Sequence, residues 1–163
     1  MEYLDEDLLK KLYSGKIKYK EAREIQKFIA KRLIKEDISN YRIVAGLDSA
    51  YTKKTMFTAI SFYDIEDRKV IHEEYSVEET KYPYIPTLLF IREGPSMANL
   101  AKNAKEKADV YLVDGHGEAH PYRAGLACFV GFMLDKPTIG VAKSRLTGKT
   151  EWHNDEGEVK DGE

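Results

Sequence analysis

Three acidic residues have the types and settings that phosphodiester chemistry requires. Asp48 closes the apolar run RIVAGLD, Asp114 closes ADVYLVD, and Glu93 lies between them in REGP. Adjacent strands ending in Asp carry both carboxylates to the rim of a sheet, beside a position for one divalent ion. Each residue alone has an ordinary reading. Aspartate commonly ends strands and caps turns, Asp-Gly is a common turn dipeptide, and Glu at a helix start is favoured by the helix dipole. Together, and with Lys143 following the apolar strand TIGVA, they outline a charged crevice.

Other constellations are weaker. His116 and His120 have the i,i+4 spacing of a zinc pair, but Gly115, Gly117 and Pro121 make DGHGEAHP a loop, and no second ligand pair accompanies them. His72, within a strand, reads as a surface residue. The chain has no GxxxxGK[ST] phosphate loop and no convincing serine nucleophile. In KYPYIPTLLF, Tyr82 and Tyr84 alternate with Pro83 and Pro86. Such a segment packs on a core or, held stiff by its prolines, presents a ring that wedges between stacked bases.

The elements that must position these residues follow from periodicity. Helical spacing predicts helices over 5–14 and 20–35, the second with a basic face formed by Arg23, Lys27, Lys31 and Arg32 that reads as solvated. β-Branched and aromatic runs predict strands over 42–48, 56–63 and 69–77, joined by short polar connectors as an antiparallel meander. A helix over 93–107, a strand over 110–113, a helix over 122–134 and a strand over 138–142 follow. The expected architecture is therefore one α/β domain over 1–163: N-terminal helices to residue 40, a core over 41–143, and a polar tail over 144–163.

Composition narrows the setting. The 163 residues suffice for a substantial core. The formal charge of −2 hides an asymmetry, because six acids against Lys160 in residues 151–163 leave the rest at +3. Cys128, the single cysteine, excludes an internal disulfide and suits a reducing compartment. The start MEYLDEDLLKK lacks an apolar signal region and no stretch approaches ~20 apolar residues, so a soluble, cytoplasmic protein without membrane contact is expected.

The order of four motifs, VAGLDSAY, PYIPTLLFIREGP, LVDGHGEAHPYRAGLA and IGVAKSRLTGK, resembles the endonuclease V family over roughly residues 40 to 150. The resemblance implies a ribonuclease H-like fold, with a mixed sheet of three antiparallel strands followed by β/α alternation and helices on both faces. It further implies hydrolysis, dependent on Mg²⁺ with Mn²⁺ substituting, of the second phosphodiester 3′ to inosine or deoxyinosine in RNA or DNA, leaving a 3′-hydroxyl and a 5′-phosphate. Asp48, Glu93 and Asp114 match the family's acidic metal positions. His120 and Lys143 match residues near the scissile phosphate. Tyr84, flanked by Pro83, Ile85 and Pro86, matches its strand-separating wedge, and Gly115 and Gly117 match the loop beside the recognised base.

Two departures accompany this likeness. The family wedge usually reads PYIPG, whereas Thr87 stands here, which puts the shape of the base pocket in question. Family members also continue beyond VAKSRL through another strand and a terminal helix, whereas this chain ends at EVKDGE, so a catalytic contribution from that region is expected to be missing. The competing expectations are a non-catalytic nucleic-acid-binding module of the same fold and, more remotely, another structure-selective metal nuclease.

Overall fold

A computed structural model of the chain describes residues 3–147, 150–153 and 159–162. Two short helices, α1 (Glu6–Tyr13) and α2 (Tyr19–Ala30), precede a meander of β1 (Ile43–Tyr51), β2 (Thr55–Asp64) and β3 (Lys69–Glu79). There follow α3 (Leu89–Asn103), β4 (Val110–Asp114), α4 (Leu126–Leu134) and β5 (Thr138–Val141). The sheet order is β3-β2-β1-β4-β5, with β1, β2 and β3 antiparallel and β4 and β5 parallel to β1.

The meander forms because alternate residues of β2, Met56, Thr58, Ile60 and Phe62, are buried while their neighbours face outward. Ala45 and Leu47 of β1 and Tyr111 and Val113 of β4 continue this buried face in register. α3 and α4 cover it. Ser96 of α3 hydrogen-bonds Thr58, at 2.9 Å, and the Thr138 hydroxyl of β5 donates to the Ala127 carbonyl of α4, at 2.8 Å. Phe90 and Phe129 join the two helices, with ring centroids 5.2 Å apart. α2 adds Ala22, Ile25 and Ile29 to the same core and sets Phe28 edge-on against Phe132.

The expectation of helices on both faces is met on one. Among the described residues the opposite face carries no helix: Phe57, Tyr75, Val77, Ile139 and Val141 stand exposed, Tyr75 at 76%. A shallow trough of about 590 Å³ runs along it, lined by Gly46, Ala59, Ser61, Tyr75, Leu112 and Val141 with Asp48 and Asp114.

Several elements depart from expectation: α2 stops at Ala30 rather than 35, α3 stops at Asn103 rather than 107, and α4 starts at Leu126 rather than 122. α3 begins at Leu89, four residues before the predicted start, so Pro95 sits inside the helix and Glu93 lies in its second turn rather than at its dipolar end. β1 runs three residues past Asp48. β5 is an exposed edge strand rather than a buried one, because it has β4 on one side and the open face above it. In the polar tail, β6 (Thr150–His153) and β7 (Val159–Gly162) pair as an antiparallel ribbon. The tail's acidic residues 155, 156, 158 and 163 lie outside the described residues.

Candidate active site

Register brings the two aspartates together. Leu47 pairs with Val113 in the parallel ladder, so the next residues along, Asp48 and Asp114, are neighbours on the open face. Their carboxyls lie close enough to share a hydrogen bond. The Asp48 Oδ1 also accepts the Ser49 N–H at 2.7 Å.

Glu93 approaches from the covered side. Strand alternation turns Ser49 and Tyr51 away from the face that carries Asp48, toward α3, and both hydroxyls donate to the Glu93 carboxyl. Ser49 continues into a buried hydroxyl chain, 3.0 Å to Thr58 and from there 2.9 Å to Ser96. The Arg92 guanidinium lies over the Tyr51 ring, 3.9 Å from its centre. Tyr51 and Ser49 are absent from the residues singled out in sequence, although period-2 alternation from Asp48 points them at the helix.

Burial first, and mutual repulsion after it, shape this corner. Burial, opposed by the Tyr51 and Ser49 hydrogen bonds and reinforced by the charges of Asp48 and Asp114, pushes the Glu93 carboxyl up to about 7. Asp114 is likewise raised, by burial first and then by Asp48, while the charge of Lys143 pulls it down. Three carboxyls crowded at one corner suit a divalent cation, which relieves their mutual repulsion. Among the described residues no three His, Cys, Asp or Glu side chains are gathered tightly enough to close around an ion. Asp48 and Asp114 form the contiguous pair, and Glu93 stands behind them on Tyr51 and Ser49.

The raised Glu93 carboxyl has a measurable consequence. Its folded pKa exceeds the ordinary 4.5, so the folded state binds the proton more tightly, and its contribution is most favourable below about 4.5 and declines as pH rises toward 7. In a metal-free buffer with chelator, stability is expected to fall across that window by on the order of 3 kcal/mol. Glu93→Gln should flatten the slope in urea titrations at several pH values; an unchanged slope would refute the burial of this carboxyl.

The remaining site residues form two further groups. Gly115, His116 and Gly117 run beside β5: the Gly115 N–H donates to the Val141 carbonyl at 2.9 Å and the His116 Nε2 meets the Ser144 carbonyl at 2.8 Å. This closeness requires Gly140, where a Cβ would lie 2.5 Å from the Gly117 nitrogen and 2.6 Å from the Gly115 oxygen. Gly125 serves similarly, since a Cβ there would meet the His116 oxygen at 2.3 Å. Lys143 is exposed just past β5, within electrostatic reach of Asp114.

The aromatic segment divides its two tyrosines. Tyr82 is buried, and its hydroxyl donates to the Leu12 carbonyl at 2.8 Å and accepts the Ile17 N–H at 3.2 Å, which pins the segment to α1 and its following loop. Tyr84 is 62% exposed, with Pro83 and Pro86 exposed and Ile85 half-buried beside it. Core packing and display are both realised, one in each ring. Tyr82→Phe leaves the buried Ile17 N–H without this partner and is expected to cost about 1–3 kcal/mol in chemical denaturation.

His120 joins this second group rather than the carboxylates. It is buried, its Nδ1 accepts the Tyr122 N–H at 3.1 Å, and its ring donates to the Thr87 carbonyl. With both nitrogens engaged it is held neutral, and burial lowers its pKa.

Comparison with known proteins agrees with the motif order. The family model described as Endonuclease V matches residues 25–161. The endonuclease V of Sulfurisphaera tokodaii is 43% identical over 129 residues, covering 77% of this chain and 62% of that protein. The Dictyoglomus thermophilum endonuclease V is 37% identical over 131 residues, covering 80% of this chain and 58% of the relative. The chain thus spans about three fifths of the length of these curated relatives. Among solved structures, the Streptomyces avermitilis endonuclease V superimposes with a TM-score of 0.74 at 31% identity, covering 83% of this chain and 61% of that one. The Ciona intestinalis endonuclease V, in complex with a 24mer DNA containing an inosine followed by a ribo-adenosine, gives 0.69 at 26% identity, covering 77% and 57%. A family match over most of the chain, carried on a sheet that superimposes on these structures, shows that the chain belongs to the endonuclease V family.

Proposed function

We propose that this protein is a divalent-metal-dependent endonuclease that hydrolyses the second phosphodiester on the 3′ side of inosine or deoxyinosine in RNA or DNA. The observation that carries this reading is the adjacency of Asp48 and Asp114 across the β1–β4 ladder, with Glu93 raised by burial and by their charges and Lys143 within electrostatic reach of Asp114. Its second support is the family membership, including a relative solved with inosine-containing DNA. A soluble, cytoplasmic setting fits; no helix among the described residues is long and apolar enough to cross a membrane.

In this mechanism Asp48 and Asp114 would hold magnesium, or manganese in its place. Bound there, the ion supplies Lewis acidity toward the phosphodiester and its attacking water at neutral pH. Glu93, held in the pocket made by Tyr51 and Ser49, would orient that water or complete a second metal site. Lys143 offsets negative charge on the phosphate as the bond breaks, leaving a 5′-phosphate and a 3′-hydroxyl. Tyr84, on its proline-braced backbone, holds the strands of a duplex apart. The backbone around Gly115 and Gly117 reads the edge of the extruded base, a step that costs less at a mispair or in a single strand.

The test is incubation with labelled single- and double-stranded DNA and RNA, each with and without one inosine, in Mg²⁺ or Mn²⁺. Cuts displaced one bond 3′ from inosine's own linkage are expected, and only with metal. Binding without any cleavage would replace the enzyme by a recognition module of the same fold. Tyr84→Ala is expected to lower duplex cleavage about tenfold or more while single strands lose less than about threefold. Equal losses on both substrates would remove the wedge.

A further inference from the structure

Thr87 ends the exposed aromatic segment in a conformation that its side chain disfavours. Its φ is +70°, in the left-handed region where a β-branched residue is strained. Such strain persists only where neighbours over-determine it, and here they do. The Thr87 hydroxyl accepts from Arg23 Nη2 at 2.6 Å, and its carbonyl accepts from Arg23 Nη1 at 3.2 Å and from Gln26 Nε2 at 2.9 Å.

The same two side chains reach the loop that follows β4. Gln26, 1% exposed, also donates to the Ala124 carbonyl at 3.1 Å and accepts Arg23 Nη1 at 2.8 Å through its Oε1. The Arg23 guanidinium lies over the Tyr122 ring, 3.8 Å from its centre, and the Tyr122 N–H holds His120. Three separate stretches, α2, the Tyr84 segment and the 115–125 loop, thereby meet at Thr87. Arg23 itself precedes residues 25–161, which the family model matches.

We propose that Arg23 is a positioning residue whose guanidinium fork holds Thr87 in the left-handed conformation and so fixes the direction of the Tyr84 segment relative to the loop bearing His120. Lysine cannot take its place, because one ammonium does not span the Thr87 hydroxyl, the Thr87 carbonyl and the Gln26 oxygen in a plane. Glycine at 87 makes the clamp unnecessary, because glycine adopts positive φ without a side-chain penalty. The inference rests on the proposed function only where cleavage is the readout.

The experiment is a cycle of Arg23→Ala, Thr87→Gly and their combination, with Arg23→Lys alongside, read by thermal melting and by cleavage of inosine in duplex and single strands. Thr87→Gly should be more favourable to melting in the Arg23→Ala protein than in the wild type. Arg23→Ala and Arg23→Lys should each lower duplex kcat/KM about tenfold, with single strands changed less than about threefold. Adding Thr87→Gly to Arg23→Ala should recover duplex cleavage to within about twofold of Thr87→Gly alone. Equal melting shifts from Thr87→Gly in both backgrounds, or wild-type duplex cleavage by Arg23→Lys, would overturn the clamp. If the wild type cleaves no inosine substrate, the functional reading falls, and the melting cycle still decides the role of Arg23.

Discussion

Asp114→Asn should lower metal-supported cleavage by on the order of a thousandfold or more, about 4 kcal/mol of barrier, while raising the melting temperature of the metal-free protein. Both effects have one cause. The Asp114 carboxyl is raised by burial and by its contact with Asp48, so in the absence of a cation the pair is a repulsive contact that the fold tolerates. The amide removes that repulsion and half of the pair that would hold the ion. Magnesium should raise the melting temperature of the wild type and leave that of the variant unchanged. Time courses on an inosine-containing strand and melts in magnesium and in chelator check both halves. A variant that cleaves at the wild-type rate, or melts lower in chelator, would sink the assignment of this corner as a cation site.

Gly140→Ala is expected to destabilise the protein by about 2–3 kcal/mol and to reduce cleavage further than that loss explains. The added methyl group would sit 2.5 Å from the Gly117 nitrogen and 2.6 Å from the Gly115 oxygen, both backbone atoms that cannot rotate aside. Either β5 moves outward or the 115–117 loop lifts away from it. The loop's Gly115 N–H bond to Val141 is then lost, and Asp114, one residue before it, shifts with respect to Asp48. Urea denaturation gives the first quantity, and cleavage measured well below the melting transition gives the second. Wild-type cleavage with wild-type stability would mean that the two backbones separate freely and that this contact positions nothing.

How far the residues themselves disclosed this arrangement depends on the kind of signal. The meander and the β4–α4–β5 succession were legible because their apolar residues repeat with the period of each element. Asp48 reads as a strand end because the apolar run stops there, yet β1 continues through Ser49 and Tyr51, whose inward faces are polar because they serve Glu93. Glu93 reads as a helix start because the helical repeat of Met97, Leu100, Ala101 and Ala104 lies after it; the true first turn is the apolar Leu89, Phe90 and Ile91, which composition alone cannot tell from a buried loop. Gln26 illustrates the limit. It lies in a helix whose basic residues suggest a solvated face, and its burial follows from partners 61 and 98 residues away that no local pattern contains.

The family motifs filled some of these gaps and left others. They point to Asp48, Asp114, Glu93 and Tyr84 by position. They do not indicate that His120 is engaged at Thr87, or that Gly140 must be small, since those facts lie in contacts between segments. β5 shows the same limit from the other side: TIGVA is apolar enough for a buried strand, but composition reports what a strand is made of and not what covers it.

The bare side of the sheet bears on how this protein is to be handled and monitored. Dyes that fluoresce in apolar surroundings ordinarily report loosened, molten states. Here Tyr75, Phe57, Val77, Ile139 and Val141 offer such surroundings on a chain whose core is fully packed. Dye fluorescence should therefore be high in the native protein and should drop as the strands come apart, reversing the sign by which a denaturation curve is usually interpreted.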